Sequence, residues 1–187
     1  MGAVEVHTIG HSTRTLDEFI GLLKPHCIET LVDVRTVPRS RRVPQFDKGT
    51  LPQALSAAGI AYAHMKVLGG WRHARKDSPN TGWRNESFRG YADYMLTAEF
   101  EAAISALIEL AKEKRVAIMC AEAVPWRCHR SLIADALTVR GVAVRHVTGA
   151  DVADLHELTQ FARVEGQSIT YPAAAPSTEQ PSLDMLP

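Results

Sequence analysis

RVAIMCAEAVPWRCHRSLIADALTVRGVAVRHV, residues 115–147, reads as strand, polar turn, helix and strand in one continuous run. Arg115–Met119 is a short apolar run of the kind that forms a buried strand. A helix is expected from about Arg127 to Arg140, with Gly141 at its exit where a left-handed backbone is needed. Val142–Val147 is a strand again. Strand, helix, strand with short connections implies parallel neighbours in one sheet, because right-handed crossovers leave few other solutions.

The same alternation extends towards the N-terminus. Val4–Ile9 reads as a first strand, and Thr15 then opens a helix whose Glu18 completes a Thr-x-x-Glu capping box. Leu16, Phe19, Ile20 and Leu23 form its apolar stripe until Pro25 stops it. Glu29–Val34 is a second strand, Leu51–Ala58 a short helix with Gly59 behind it, and Ile60–Met65 a third strand. Residues 68–88 show turn residues and no sustained period, which marks a long functional loop. Helices at Tyr91–Leu96 and Glu99–Lys112 follow, the second with Phe100, Ala103, Ile104, Leu107, Ile108 and Ala111 on one face. The expected fold is an α/β three-layer sandwich, Rossmann-like, with a mainly parallel five-stranded sheet flanked by helices on both faces. Residues 1–165 form a single domain on this reading, and residues 166–187, rich in Pro, Ser and Ala, are expected to be a disordered tail.

A chain of 187 residues fits one domain with a sizeable core. No apolar run approaches the roughly 20 residues of a membrane span, and MGAVEVHTIGHS has no signal-peptide pattern, so no membrane association and a cytoplasmic location are expected. Three cysteines make no disulfide framework; Cys27 is expected to be a packing residue. The net charge is zero, yet residues 35–89 carry eleven Lys or Arg against three acids, a local excess of +8. That excess points to an anionic ligand, against the commoner outcome of a solvated basic face.

In a parallel sheet, ligands bind where the carboxyl ends of the strands open into loops. GHSTRT, DVRTVPRSRR, HMK and CAE all fall there, so His11, Arg35, Cys120 and Glu122 should converge. TIGHSTRTLDEF, LVDVRTVPRSRRVPQFDK, LGG and CAEAVPWRCHR together resemble the family called domain of unknown function 488. The resemblance runs over most of residues 5–147. Its recurring positions map to Gly10, His11, Ser12, Asp33, Arg35, Pro38, Ser40, Arg41, Phe46, Cys120, Glu122, Cys128, His129 and Arg130. It implies an α/β fold and no particular activity.

The chemistry must therefore come from the residues. Cys120, ending a strand before a helix, has the position of a thiol with a lowered pKa and is the candidate nucleophile, with Cys128 the less reactive thiol. His11 and Glu122 are the acid–base candidates. Ser12, Arg35, Arg39, Arg41, Arg127, Cys128, His129 and Arg130 are expected to hold substrate. Cysteine-dependent phosphatases and sulfurtransferases have five residues between Cys and Arg, whereas AEAVPW puts six between Cys120 and Arg127. Zinc deaminases share C-A-E but continue P-C-x-x-C, which this chain lacks. Cys128 and His129, as neighbours on a helix, would point about 100° apart, so no metal and no cofactor are expected. Trp71, Trp83, Trp126, Tyr62 and Phe88 among basic residues suit stacking on a base. The expectation is an enzyme for a phosphorylated, nucleotide-like or nucleic-acid substrate, the alternative a non-catalytic nucleic-acid-binding module using residues 35–89.

Overall fold

A computed structural model describes residues 3–173. Among these residues, six strands form one sheet: β1 (Glu5–Gly10), β2 (Thr30–Asp33), β3 (Ala61–His64), β4 (Val116–Cys120), β5 (Ala143–Gly149) and β6 (Val152–Leu155), in the order β3-β2-β4-β1-β5-β6. The first five pair in parallel, and β6 runs antiparallel to β5 at the edge. The α/β sandwich holds, with one strand more than the sequence pattern reveals. No helix among the described residues is long and apolar enough to cross a membrane.

Alternate residues of each buried strand enter opposite cores. Leu31, Ala117 and Met119 pack with Phe19 and Leu23 of α1 (Leu16–Leu23) and Leu51 and Leu55 of α2 (Leu51–Ala57). Val32, Val34, Val116, Ile118 and Cys120 pack with α3 (Glu86–Tyr94), α4 (Ala98–Glu113) and α5 (Arg130–Val139). This two-residue alternation is what a strand with both faces covered requires. The chain leaves β1 for α1 on one face and leaves the adjacent β4 for α5 on the other. A crevice must therefore open between the carboxyl ends of β1 and β4, at the reversal of strand order.

Local signals agree with the capping logic. Thr15 and Glu18 form both halves of the capping box, and Gly59 and Gly141 take positive φ at helix exits. Gly10 sits where β1 passes the loop after β4, and a Cβ there would meet the Glu122 carbonyl oxygen at 1.8 Å. Only a residue without a side chain allows this close approach.

Four expectations need correction. The segment before α5 is not helical from Arg127: Pro125–Arg127 is a 3₁₀ turn, Cys128 is extended (φ −132°, ψ 148°), and α5 starts at Arg130. α3 begins at Glu86 because Asn85 caps it, accepting hydrogen bonds from the Ser87 and Phe88 amides. Cys27 is exposed with φ +53°, in the turn after α1, and is not part of the core. The chain after Glu165 is also ordered: β7 (Arg163–Glu165) and β8 (Ser168–Thr170) form a hairpin, and Ile169 and Tyr171 are buried. The rest of the expected tail, from residue 174 onward, lies outside the described residues.

Candidate functional site

A cleft of about 710 Å³ opens at the carboxyl ends of β1, β2 and β4. His11, Ser12, Cys120, Glu122, Cys128 and His129 line it from the β1 and β4 sides. Its size lies within the range of small-molecule sites. Two loops hold this part of the wall together, since the His11 amide donates to the Cys120 carbonyl at 3.0 Å and the Ser12 amide to the Ala121 carbonyl at 2.9 Å. Ser12 takes φ +51°, a conformation uncommon for a residue with a side chain and frequent at functional sites.

Because Cys128 is extended and His129 only begins the turn into α5, their side chains are not splayed as on a helix. They meet: His129 Nδ1 lies 3.6 Å from Cys128 Sγ and 4.0 Å from Cys120 Sγ. His129 Nε2 lies 3.1 Å from the Val34 carbonyl oxygen, so this nitrogen carries the proton and Nδ1 faces the sulfurs. The hydrogen bond between the thiols, together with burial, pushes the Cys120 thiol up. The same bond pushes the Cys128 thiol down, helped by His129 and by the charge of Arg130. From sequence, the low-pKa thiol is expected at Cys120. The contacts around Cys128, the bond to Cys120 first and then His129 at 3.6 Å and the charge of Arg130, lower that thiol instead.

His11 is buried and stacked on Phe46, with ring centroids 4.4 Å apart. Its Nδ1 is 2.8 Å from the Ser12 carbonyl oxygen and must donate; its Nε2 is 3.2 Å from Arg35 Nη1 and must accept. Both nitrogens are engaged, and burial first of all drives the imidazole pKa down to about 4. A neutral imidazole with no spare lone pair positions Arg35 and the loop; in this geometry it is not poised to exchange protons with a ligand. His146, between Thr8 and His156, is likewise held down to about 4, mainly by burial. Both histidines are harder to protonate folded than unfolded. Their contribution to stability is complete above the unfolded pKa of about 6.5 and is lost as pH falls towards 4. The expected loss from His11 alone is about 3 kcal/mol. Urea midpoints measured from pH 7.5 down to 4.5 should fall steadily, and a flat profile would show that the two rings are free to charge in the folded state.

The family model described as "Domain of unknown function DUF488" matches residues 15–137. The chain belongs to the DUF488 family. No curated protein and no solved structure matches it. The matched region of this DUF488 chain holds Asp33, Arg35, Cys120, Glu122, Cys128, His129 and Arg130, while His11 and Ser12 lie just before it.

The basic residues of the DUF488 chain divide into two groups. Arg35 is buried against Asp33, Arg72 lies 3.7 Å over the Tyr94 ring, Arg75 pairs with Asp77, and Arg89 bonds the Trp83 carbonyl. Arg130 is 1% exposed, and its guanidinium donates to Thr8 Oγ1 and the Glu122 carbonyl, so it braces the loop. Arg41 is exposed and, unlike its neighbours Ser40 and Arg42, does not line the cleft. Arg39, Arg42 and Arg127 line the cleft and are exposed. Every arginine ion pair among the described residues involves Arg35, Arg75, Arg140 or Arg145, which leaves these three unpaired. Arg42 was not singled out in sequence, because nothing distinguishes it from Arg41 until the loop is folded. Trp71 also lines the cleft and is 77% exposed.

Proposed function

We propose that this DUF488 chain is an enzyme acting on a phosphorylated, nucleotide-like or nucleic-acid substrate. The cleft at the β1–β4 crevice would hold that substrate. The observation that carries the reading is the composition of the cleft: three exposed arginines with no ion pair among the described residues, together with the buried or half-buried Cys120, Cys128 and His129 on its floor. Planar guanidinium forks match phosphate oxygens, and three of them round one opening favour a ligand with more than one negative charge. Trp71 offers an exposed aromatic face on the same rim, which suits a base attached to those phosphates. Glu122, exposed at the cleft wall, is the one carboxylate among the described residues lining the cleft and is available for acid–base work. A purely non-catalytic nucleic-acid module would use the same rim but would leave the Cys–Cys–His floor without a role.

Binding of a fluorescent nucleoside triphosphate and of a labelled single-stranded oligonucleotide should weaken steeply between about 50 and 200 mM salt. Arg39→Ala, Arg42→Ala and Arg127→Ala should each lower affinity about three- to tenfold and flatten the salt dependence. Arg41→Ala should change little. Affinity that ignores salt, or that is unchanged when all three arginines are removed, would reject the anionic substrate.

A further inference from the structure

We infer that Cys120, Cys128 and His129 bind a divalent transition-metal ion of the zinc class, with the fourth coordination position open to the cleft. These three make the one cluster of potential metal ligands among the described residues, and their ligand atoms lie within 4.8 Å of one another. Zinc–sulfur bonds of about 2.3 Å and zinc–nitrogen bonds of about 2.0–2.1 Å, arranged as a tetrahedron, require neighbouring ligand atoms about 3.5–3.8 Å apart. His129 Nδ1 is 3.6 Å from one sulfur and 4.0 Å from the other, so the two nitrogen–sulfur spacings lie within a few tenths of an ångström of what an ion requires.

The outer contacts also fit. The far nitrogen of His129 is fixed by the Val34 carbonyl at 3.1 Å. This is the outer hydrogen bond that holds a metal-ligating imidazole in one tautomer with its lone pair on the ligand side. Two thiolates cancel the charge of a divalent ion, so a neutral centre would sit in this largely buried position without a charge left uncompensated. Both cysteines are buried and reduced, and borderline-soft ions prefer such sulfur and imidazole donors over oxygen sites. Three protein ligands and a fourth position facing a cleft is the arrangement of zinc sites that bind water or substrate; closed structural sites have four protein ligands. The backbone explains why spacing alone points the other way: an extended Cys128 beside a helical-turn His129 turns adjacent side chains towards one point.

The inference concerns the ion alone and stands or falls independently of the substrate. The test uses the full chain, freed of metal by a chelator and kept reduced with a phosphine, and titrates it with cobalt(II) and then zinc(II). One equivalent of cobalt should give the visible bands of a tetrahedral ion together with sulfur-to-cobalt charge-transfer absorption in the near ultraviolet, and one equivalent of zinc should remove both. Cys120→Ser, Cys128→Ser and His129→Ala should each weaken zinc binding at least about tenfold in competition with a coloured chelator, since losing even an outer hydrogen-bond partner of a ligand costs about 10–100-fold. Cys27→Ser, far from the cleft, should leave it unchanged. If a variant fails to fold, the charge-transfer intensity of the unaltered chain still counts the thiolates, two being expected. Absence of stoichiometric binding, a pale octahedral spectrum without charge transfer, or a signal that depends on Cys27 would each overturn the site.

Discussion

Removal of residues 166–187 is expected to destabilise the fold by about 5 kcal/mol or more and to lower the melting temperature by about 10–20 °C. The expectation rests on what the short segment after β7 touches. Tyr171 is fully buried, and its hydroxyl donates to Asp135 Oδ2 at 2.8 Å; burial pushes that hydroxyl's pKa well up, so it remains a donor. Its amide donates to Asn80 Oδ1 at 2.8 Å, and its carbonyl accepts from the Gly82 amide at 2.8 Å. Ile169 is also buried. Two large side chains re-exposed contribute about 1.5–3 kcal/mol each. Asp135 and Asn80, both 0% exposed, would each lose a partner at about 1–3 kcal/mol. The total is a large share of a domain's usual stability of about 5–15 kcal/mol. Asp135 belongs to α5 and Asn80 to the loop that carries Trp71 into the cleft, so the segment ties that wall to the helix below it. Tyr171→Phe should reproduce only the hydroxyl share, about 1–3 kcal/mol. An unchanged urea midpoint after truncation at Glu165 would mean that the segment adds nothing to the fold.

The contrast between what sequence revealed and what it hid has physical causes. Helix ends announced by local chemistry were legible: the Thr15–Glu18 box, Pro25, Gly59 and Gly141 act within a few residues of themselves. So were strands buried on both faces, because Leu31–Asp33 and Val116–Cys120 are apolar throughout or nearly so. β6 was not, since an edge strand with largely exposed residues and a bulge in its pairing to β5 needs no apolar run. The ordered segment after Glu165 was missed for a related reason. It is held by one tyrosine and its hydrogen-bond partners some 36 and 91 residues away, and not by a periodic apolar face. The site was legible as a place, because loops after parallel strands must gather at one edge. The roles within it were not, because they depend on whether Cys128 is helical or extended and on which arginines find internal partners. His129 could be seen to lie near the cysteines, but only the backbone of residues 125–130 shows that it points at both.

Arg35→Ala is expected to destabilise the fold by about 3–5 kcal/mol, as the breaking of a buried ion pair does when one charge is left behind. Asp33 is 0% exposed and accepts from Arg35 Nε at 2.9 Å and Nη2 at 2.6 Å, with further bonds from the Arg35 amide and the Tyr62 hydroxyl. Taking the guanidinium away leaves the carboxylate with two neutral donors in a dry environment. It also strips a donor from the Phe46 carbonyl and from His11 Nε2, the contacts that seat the loop of residues 35–47 against β1. Asp33→Leu combined with Arg35→Met removes both charges and should recover most of the loss, because the penalty lies in the unpaired ion more than in the missing attraction. The two roles open to Arg35 then separate cleanly. As the internal brace seen in the structure, it makes its variant unstable, and the surviving folded fraction still binds an anionic ligand through Arg39, Arg42 and Arg127. As a direct substrate contact, the role its position in sequence suggested, it would lose ligand affinity while the urea midpoint stayed within about 1 kcal/mol of the original, the scale of an exposed pair. Denaturation and ligand titration on the same preparation decide between them, and the geometry of Asp33 predicts the first.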